Sequence, residues 1–433
     1  MSERSFVSVV EWLSGLENPL GESSPSLTTP PPNPTGKYHH PLSPPESRKR
    51  YASMATDPDL TPKRRRVALP AGHHLEGTPR ANSVRDGIPN LPTASPSRSD
   101  RSESWSESQA SGRSSPLKRM VAMELAPNGL ETKRMESGDP GMPSALAQFS
   151  SELDMCSIGV GVISDTLQEA LQQDPRFRHC LPFMFASPAD RDQYGPTPSL
   201  DRVDSLVKKS VRCQDSQQDE SGWNMLVHCP LLEQALDNIE TQNQSIGFEP
   251  CTTAKIIQEY LPTGFMPKMV DFCMYVDIGT DKATRDVSKR LRQELPCGVI
   301  NHTEFHALRQ RPITVSIETK TPRGAQPAAA ELQISTWHAA QWRLLEDLVA
   351  RTGGSFVDLT FLPAVIVNGD EWSFAATTRE EQNTVLWLEK KFGSTNSHHG
   401  VYKTVWGLQR LAKWSIEVYW PWYRKNALGL CDG

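Results

Sequence analysis

Several features are missing from this sequence of 433 residues, and each absence excludes a class of protein. No two cysteines form a CxxC pair, which argues against a zinc ribbon. No apolar run approaches the length that crosses a membrane, so no transmembrane helix is expected. The formal net charge of −5 is close to neutral for this length, and it gives no global electrostatic argument for nucleic-acid binding.

The cysteines that are present are scattered along the chain, and Cys273 alternates with apolar strand positions, as a reduced core cysteine does. This usage favours an intracellular compartment. The first 16 residues are too acidic, and their apolar part is too short, for a signal peptide. The eight cysteines are Cys156, Cys180, Cys213, Cys229, Cys251, Cys273, Cys297 and Cys431.

The first third of the chain is rich in Pro, Ser and Arg, as in "SSPSLTTPPPNPTGKYHHPLSPPES" (23–47). Such a composition buries too little apolar surface to offset the entropy of an ordered chain. We therefore predict a disordered Ser/Pro-rich leader over 1–150 and one folded domain over 151–430. Within the leader, residues 4–16 have apolar residues at helical spacing. They are interpreted either as a docking helix or as a transient one.

Two basic clusters lie in this leader, "SRKR" (47–50) and "PKRRRV" (62–67). Short basic runs of this kind are typical of nuclear import signals, although they also serve as solubilising charge in linkers. The sequence thus favours a nuclear or nucleocytoplasmic protein. The leader also offers room for protein partners.

Beyond the leader, periodic apolar segments alternate between helix and strand patterns, which predicts a mixed α/β domain whose central sheet is flanked by helices. Pro230 is expected to kink or restart its helix, and Asn368-Gly369 is a hairpin signal. The predicted helices are 158–172, 219–240, 281–295, 328–351 and 400–428, and the predicted strands are 266–279, 313–320 and two within 361–377.

The stretch "ITVSIETK" (313–320) carries the most informative chemistry, because Glu318 and Lys320 lie on one face of a half-buried strand. If the strand that begins at Asp271 lies next to the strand 313–320, Asp271 and Glu318 can share a divalent cation. Two carboxylates and several waters suit Mg²⁺. Lys320 would then hold or polarise a bound water. The alternative for Glu318 and Lys320 is an ordinary ion pair.

This arrangement resembles the signature of the PD-(D/E)XK nuclease superfamily, an Asp at a strand start followed on the next strand by Asp/Glu-x-Lys. Pro267 stands four residues before Asp271 rather than beside it. Gln333 and Trp337 are similar to the Gln-x-x-x-aromatic helix of RecB-like members, which implies that Gln333 positions the site. Members often supply an upstream acidic ligand, and Glu220 matches best, with Glu233 as the second choice.

The wider resemblance is to the fungal PD-(D/E)XK nuclease-like domain and covers most of 150–430. It implies a restriction-endonuclease-like α/β core and a Mg²⁺- (or Mn²⁺-) dependent nuclease acting on DNA or RNA. The implied metal ligands are Asp271, Glu318 and Glu220, and the implied catalytic set is Asp271, Glu318, Lys320 and Gln333. The stretches that carry the resemblance are "WNMLVHCPLL", "MVDFCMYVD", "INHTEF", "RPITVSIETK", "AELQISTWHAAQW" and "WPWYRK".

Other readings stay open at this point. A second hypothesis is a domain that has lost catalysis and binds nucleic acid or protein as a scaffold, because only dispersed basic residues accompany the near-neutral charge. A regulatory adaptor that acts through the leader is a third possibility. Asp277 is interpreted as a turn cap, His228 as a hydrogen-bonded core residue, and His302 with His306 as chance neighbours. The dispersed basic candidates are Lys289, Arg290, Arg292, Arg309 and Arg311.

Overall fold

The computed structural model describes most of the chain from residue 115 onward, all of it within one unit, Asp100–Gly433. The possible helix at 4–16 and the basic clusters at 47–50 and 62–67 lie outside the described residues, as does the predicted disorder of the leader before residue 115. The described ranges are 115–126, 129–136, 138–177, 180–236, 245–279, 281–322, 327–380 and 383–430.

Seven strands form one mixed sheet, in the order β1-β9-β8-β7-β6-β5-β4. The pairs β1/β9 and β6/β7 are parallel and the other neighbours are antiparallel. Two short strands, β2 (Ile163–Ser164) and β3 (Phe185–Ala186), pair separately. The large sheet consists of β1 (Leu130–Arg134), β4 (Ser245–Pro250), β5 (Phe272–Asp277), β6 (Ile313–Lys320), β7 (Leu362–Asn368), β8 (Glu371–Glu380) and β9 (Asn383–Ser394).

Helices flank this sheet, which confirms the predicted fold class. Two of them, α6 and α9, contain π-helical turns. The helices are α1 (Pro116–Glu124), α2 (Ser144–Ile158), α3 (Gln168–Gln173), α4 (Pro188–Arg191), α5 (Leu200–Asp215), α6 (Glu220–Trp223, the π-helical Asn224–His228 and Cys229–Leu236), α7 (Lys282–Glu294), α8 (Pro327–Thr352) and α9 (His398–Trp414, Ser415–Tyr419, Trp420–Trp422 and Tyr423–Ala427).

The central strand β6 is buried on both faces, not on one as its alternating pattern suggests. Its polar side chains are satisfied by neighbouring elements. Thr314 donates to the carbonyl of Met274 and accepts from Ser415 of α9, while Ser316 bonds to His338 of α8. The expectation of a half-buried strand was therefore wrong, because two helices cover the polar face and supply its hydrogen bonds.

The folded part begins well before residue 150. Strand β1 pairs with β9 from Leu130 opposite Thr384 to Arg134 opposite Leu388, and Met120 and Met123 of α1 belong to the main core. Residues 116–150 thus form a helix, a strand and the start of α2, where the sequence pattern placed the leader. Only the long-range pairing with β9 turns this short, polar segment into a strand.

The predicted helix over 158–172 is also wrong in its first half. Helix α2 ends at Ile158 because Gly159 adopts a left-handed conformation with φ of 98°. Gly161, with φ of 62°, extends the turn, and the chain then enters β2. The repeated glycines of "IGVGV" mark a helix end here rather than the interior of a helix.

Pro230 is the second residue of the α-helical segment Cys229–Leu236, which follows the π-helical turn Asn224–His228. The chain stays helical throughout α6, and the irregularity expected at Pro230 takes the form of this turn. In a regular α-helix the Pro230 ring would clash with the carbonyl of Leu226 and leave that carbonyl without a donor. A wider turn at this place relieves the clash, and such turns are frequent at functional sites.

Other predictions agree with the structure. Strand β6 has the predicted bounds, and Gly369, with φ of 59°, forms the predicted hairpin turn between β7 and β8. Trp414, Trp420 and Trp422 are buried in the core. The seven described cysteines are free thiols, and in the described part of the chain no helix combines the length and apolarity of a membrane span.

Removing residues 1–136 should destabilise the domain far more than removing 1–114. The longer deletion takes away α1, β1 and the buried side chains of Met120, Met123, Leu130 and Met135, each stabilising by about 2 kcal/mol. We expect its thermal midpoint to be lower by on the order of 10 °C or more. The shorter deletion leaves every described contact in place and is the matched control. Equal midpoints would contradict the placement of β1 in the sheet.

Candidate active site

Asp271 and the Glu318-Thr319-Lys320 stretch meet where β5 begins and β6 ends, because these two strands are antiparallel neighbours. Phe272 is paired with Ile317, and the backbone N–H of Asp271 donates to the carbonyl of Ile317 at 3.1 Å. Asp271 therefore stands opposite Glu318 at the end of the pairing. The adjacency that the sequence left open is present.

One carboxylate oxygen of Asp271 is held by Thr319. The backbone N–H and the hydroxyl of Thr319 both donate to Oδ2, at 2.8 and 2.9 Å. The side chain is almost fully buried. Burial raises the pKa of Asp271 above its ordinary value, although Lys320 and the two Thr319 hydrogen bonds oppose the shift. Oδ1 accepts no hydrogen bond from the residues that the structure describes.

Glu318 is fully buried. Its Oε1 contacts the ammonium group of Lys320, whereas its Oε2 is buried without a hydrogen-bond partner in the described part of the chain. Burial, followed by the nearby Asp271 carboxylate, raises the pKa of Glu318 well above its ordinary value. A buried carboxylate oxygen without a donor is costly, so this atom requires an explanation.

Lys320 lies between two acidic side chains. Its Nζ contacts Glu318, donates to the Thr319 carbonyl at 2.9 Å, and lies 3.5 Å from Oε2 of Glu220. Burial alone would lower the pKa of Lys320, but the carboxylates of Glu318 and Glu220 outweigh burial and raise that pKa. The ammonium group therefore stays charged at neutral pH.

Glu220 reaches this group from the first turn of α6. Burial, and then the charge of Asp271, raise the pKa of Glu220, although its side chain is still 42% exposed. Glu233, the second choice from the sequence, is exposed further along the same helix. Of the two upstream acids, only Glu220 is placed beside Lys320.

The donor set is compatible with a partly hydrated divalent cation. Asp271 Oδ1 and Glu318 Oε2 each lack a hydrogen-bond partner among the described residues, and the single positive charge of Lys320 lies among the carboxyl groups of Glu318, Glu220 and Asp271. Within the described ranges, no three His, Cys, Asp or Glu side chains are arranged as a ready metal cage. Mg²⁺ is often bound by one or two carboxylates and several waters, and Asp271 with Glu318 fits this mode.

Gln333 lies beside the site rather than in it. Its Nε2 donates to the carbonyl of Met269 at 3.0 Å, two residues before Asp271. It makes no hydrogen bond to either carboxylate. Trp337, one turn later, is fully buried and packs edge-on against His302, with 4.4 Å between the ring centroids. Gln333 thus anchors the chain that leads into Asp271.

The alternative acidic and histidine positions have structural roles. Asp277 accepts from the backbone N–H of Gly279 at 3.0 Å and pairs with Arg311, as a turn cap does. His228 is buried and hydrogen-bonded, as predicted. His302 is buried, whereas His306 is exposed, so the two do not form a ligand pair.

Two residues of the site escaped the sequence analysis. Thr319 is the variable position of the signature, and Asn224 contacts it from α6, with 2.9 Å between Thr319 Oγ1 and the side-chain amide. A signal was present for Asn224, because Glu220, Asn224 and His228 follow at intervals of four along one helix face. Thr319 had no comparable signal.

Comparison with known proteins gives one family match, to the model described as "PD-(D/E)XK nuclease superfamily", over residues 166–420. No curated protein and no solved structure matches the chain significantly. The match covers more than half of the chain and contains Glu220, Asp271, Glu318 and Lys320. The chain belongs to the PD-(D/E)XK nuclease superfamily.

Proposed function

We propose that the protein is a metal-dependent nuclease that hydrolyses phosphodiester bonds in DNA or RNA. The observation that carries this proposal is the buried pair of Asp271 and Glu318, each with one uncommitted oxygen, beside the charged amine of Lys320. Membership of the superfamily supports the nuclease-like character. The choice of Mg²⁺ or Mn²⁺ rests on the oxygen-only donor set.

In this proposal Asp271 and Glu318 would hold the ion, and Glu220 would add to the ligand shell directly or through a water. A divalent ion bound there would lower the pKa of a bound water and offset the charge of a phosphodiester. Lys320 donates to the attacking water and keeps it oriented, because its amine is fixed between Glu318 and Glu220. Gln333 positions Asp271 through the Met269 carbonyl.

A second candidate is a scaffold that binds nucleic acid or protein without cutting. The observation that favours it is the position of the arginines: Arg285, Arg309 and Arg311 line a cavity of about 270 Å³ beside Asp277, at the opposite end of β5 from Asp271. A phosphate backbone held there would lie away from the carboxylates. Binding without metal-dependent cleavage would select this candidate.

The basic clusters at 47–50 and 62–67 extend the proposal to import into the nucleus, where DNA and RNA substrates are present. Protein partners of the leader belong to the same proposal. Both points concern residues outside the described ranges and rest on the sequence alone.

Metal binding by the full-length chain should depend on both carboxylates. Calorimetry with Mn²⁺ is expected to show binding to the wild type and an affinity at least about 10-fold lower in Asp271→Asn and Glu318→Gln. The matched control is Asp277→Asn, at the other end of β5, where the side chain caps a turn and pairs with Arg311. Wild-type affinity in either site variant would contradict the ligand assignment.

Lys320→Ala should lower the rate of cleavage by about 10²- to 10³-fold, the usual loss when a charged or polar donor aimed at the reacting atoms is removed. The fold should persist, since Glu318 is stable in its neutral form when the ammonium group is removed. The measurement is metal-dependent cleavage of single- and double-stranded substrates, with a thermal melt of each variant. Lys289→Ala, on the exposed side of α7, is the control, and undiminished cleavage by Lys320→Ala would refute the role.

Stability and metal affinity should respond to pH in opposite directions. The folded-state pKa values of Asp271 and Glu318 are raised, so their contribution to stability is complete below the ordinary carboxyl pKa. That contribution is lost as the pH rises through the raised values. Metal binding needs the ionised forms and should strengthen over the same range.

Thermal melts with EDTA and with Mn²⁺, at about pH 5 and about pH 8, test this expectation. The stabilisation by Mn²⁺ should be larger at the higher pH. In Glu318→Gln, which cannot ionise, the metal-free protein should lose less stability between the two conditions. A metal effect that is independent of pH would contradict the assignment of two carboxyl groups whose pKa values are raised by burial.

A further inference from the structure

A chain of hydrogen bonds runs from the β7–β8 turn to the candidate metal ligand. The Gly369 carbonyl lies 2.8 Å from Nε2 of His228, and Nδ1 of His228 lies 2.8 Å from the side-chain amide of Asn224. The same amide atom lies 2.9 Å from Oγ1 of Thr319, which lies 2.9 Å from Oδ2 of Asp271. Four elements of the fold meet in this chain.

The number of hydrogens available for these bonds determines the orientation of the Asn224 side-chain amide. In the ionised form that would bind a cation, the Asp271 carboxylate can only accept, so it takes the one hydrogen of the Thr319 hydroxyl. The contact between Thr319 and Asn224 must then be donated by Asn224. The structure places the Asn224 side-chain oxygen at this position. The oxygen and nitrogen of an amide are assigned from the hydrogen-bond network, and this network requires the amide to be turned so that its nitrogen faces Thr319.

The protonation state of His228 leads to the same orientation of the Asn224 amide. The ring is fully buried and lies between Trp223, at 5.8 Å, and Trp372, at 5.5 Å between ring centroids. Burial lowers the pKa of His228 to about 4, so the ring is neutral and carries one proton. The Gly369 carbonyl can only accept, which places that proton on Nε2. Nδ1 must then accept a hydrogen bond from Asn224.

We propose that Asn224 and His228 are positioning residues for Asp271, with the Asn224 amide donating one proton to His228 Nδ1 and the other to Thr319 Oγ1. Thr319 then donates its own proton to Asp271 Oδ2. This assignment rests on the proposed function, since it concerns the same metal site. Every acceptor in the chain has a donor, and no proton is shared between two acceptors.

These hydrogen bonds restrict the orientation of the Asp271 carboxylate. With two donors from Thr319 on Oδ2, the carboxylate cannot rotate freely, and Oδ1 is the oxygen left for a cation. Asn224 and His228 are the first and last residues of the π-helical turn, and their side chains lie within hydrogen-bond distance of each other. The position between Glu318 and Lys320 thus requires a hydroxyl and is not a neutral spacer.

The proton arrangement is tested by ¹⁵N imidazole spectroscopy on the full-length chain, with His228→Gln used to assign the signal. The wild type should show His228 as one neutral tautomer protonated at Nε2. In Asn224→Asp, which has nearly the same shape but no amide donor, the ring should become protonated on both nitrogens. A neutral Nδ1-protonated ring or a doubly protonated ring in the wild type would overturn the assignment.

The positioning role is tested by Mn²⁺ calorimetry on Thr319→Val and Thr319→Ser. Valine keeps the shape and the backbone N–H but lacks the hydroxyl, so the affinity should fall by about 10- to 100-fold. Serine should restore it. A melt of each variant checks folding, and a merely structural role would lower the thermal midpoint of Thr319→Val without changing its Mn²⁺ affinity, which would overturn the proposal.

The Mn²⁺ measurements distinguish a failure of the proposed function from a failure of the positioning role. Binding of Mn²⁺ that is lost in Asp271→Asn but unchanged in Thr319→Val would leave the proposed nuclease site intact and remove the positioning role. A wild type that binds no Mn²⁺ would refute the proposed function and the positioning role together. The tautomer of His228 would in that case still decide the proton arrangement on its own.

Discussion

The antiparallel pairing of β5 with β6 is the constraint on which the rest of the site depends. It places Asp271 opposite Glu318 and joins their strands through the hydrogen bond from Asp271 N–H to the Ile317 carbonyl. Since side chains alternate along a strand, a slip of one residue would turn Glu318 and Lys320 away from Asp271. The register is held by apolar residues that are buried on both strands, such as Phe272 and Ile317.

Burying two carboxyl groups side by side is unfavourable, and the surrounding structure limits that cost. Thr319 supplies two hydrogen bonds to Asp271, and Lys320 supplies a positive charge to Glu318. The raised pKa values of both acids show that this compensation is incomplete. A site that tolerates uncompensated acidic groups is typical of a functional centre rather than of a stabilising ion pair.

Much of the architecture followed from local patterns. The bounds of β6, the hairpin at Gly369 and the long helix α8 all have periodic or turn signals within a few residues. Where prediction failed, the deciding contact was distant along the chain. Strand β1 exists because β9, some 250 residues later, pairs with it, and the polar face of β6 is buried because α8 and α9 cover it.

The sequence by itself identified the candidate side chains of the site: an acid before one strand, then an acid and an amine separated by one residue on the next. Only the tertiary structure decided how they are supported, because Thr319, Asn224 and Gly369 belong to three separate elements. Hydrogen bonds between such residues leave no periodicity or spacing in the sequence. These hydrogen bonds form only when packing brings α6 against the ends of β6 and β7. They then fix the orientation of the Asp271 carboxylate.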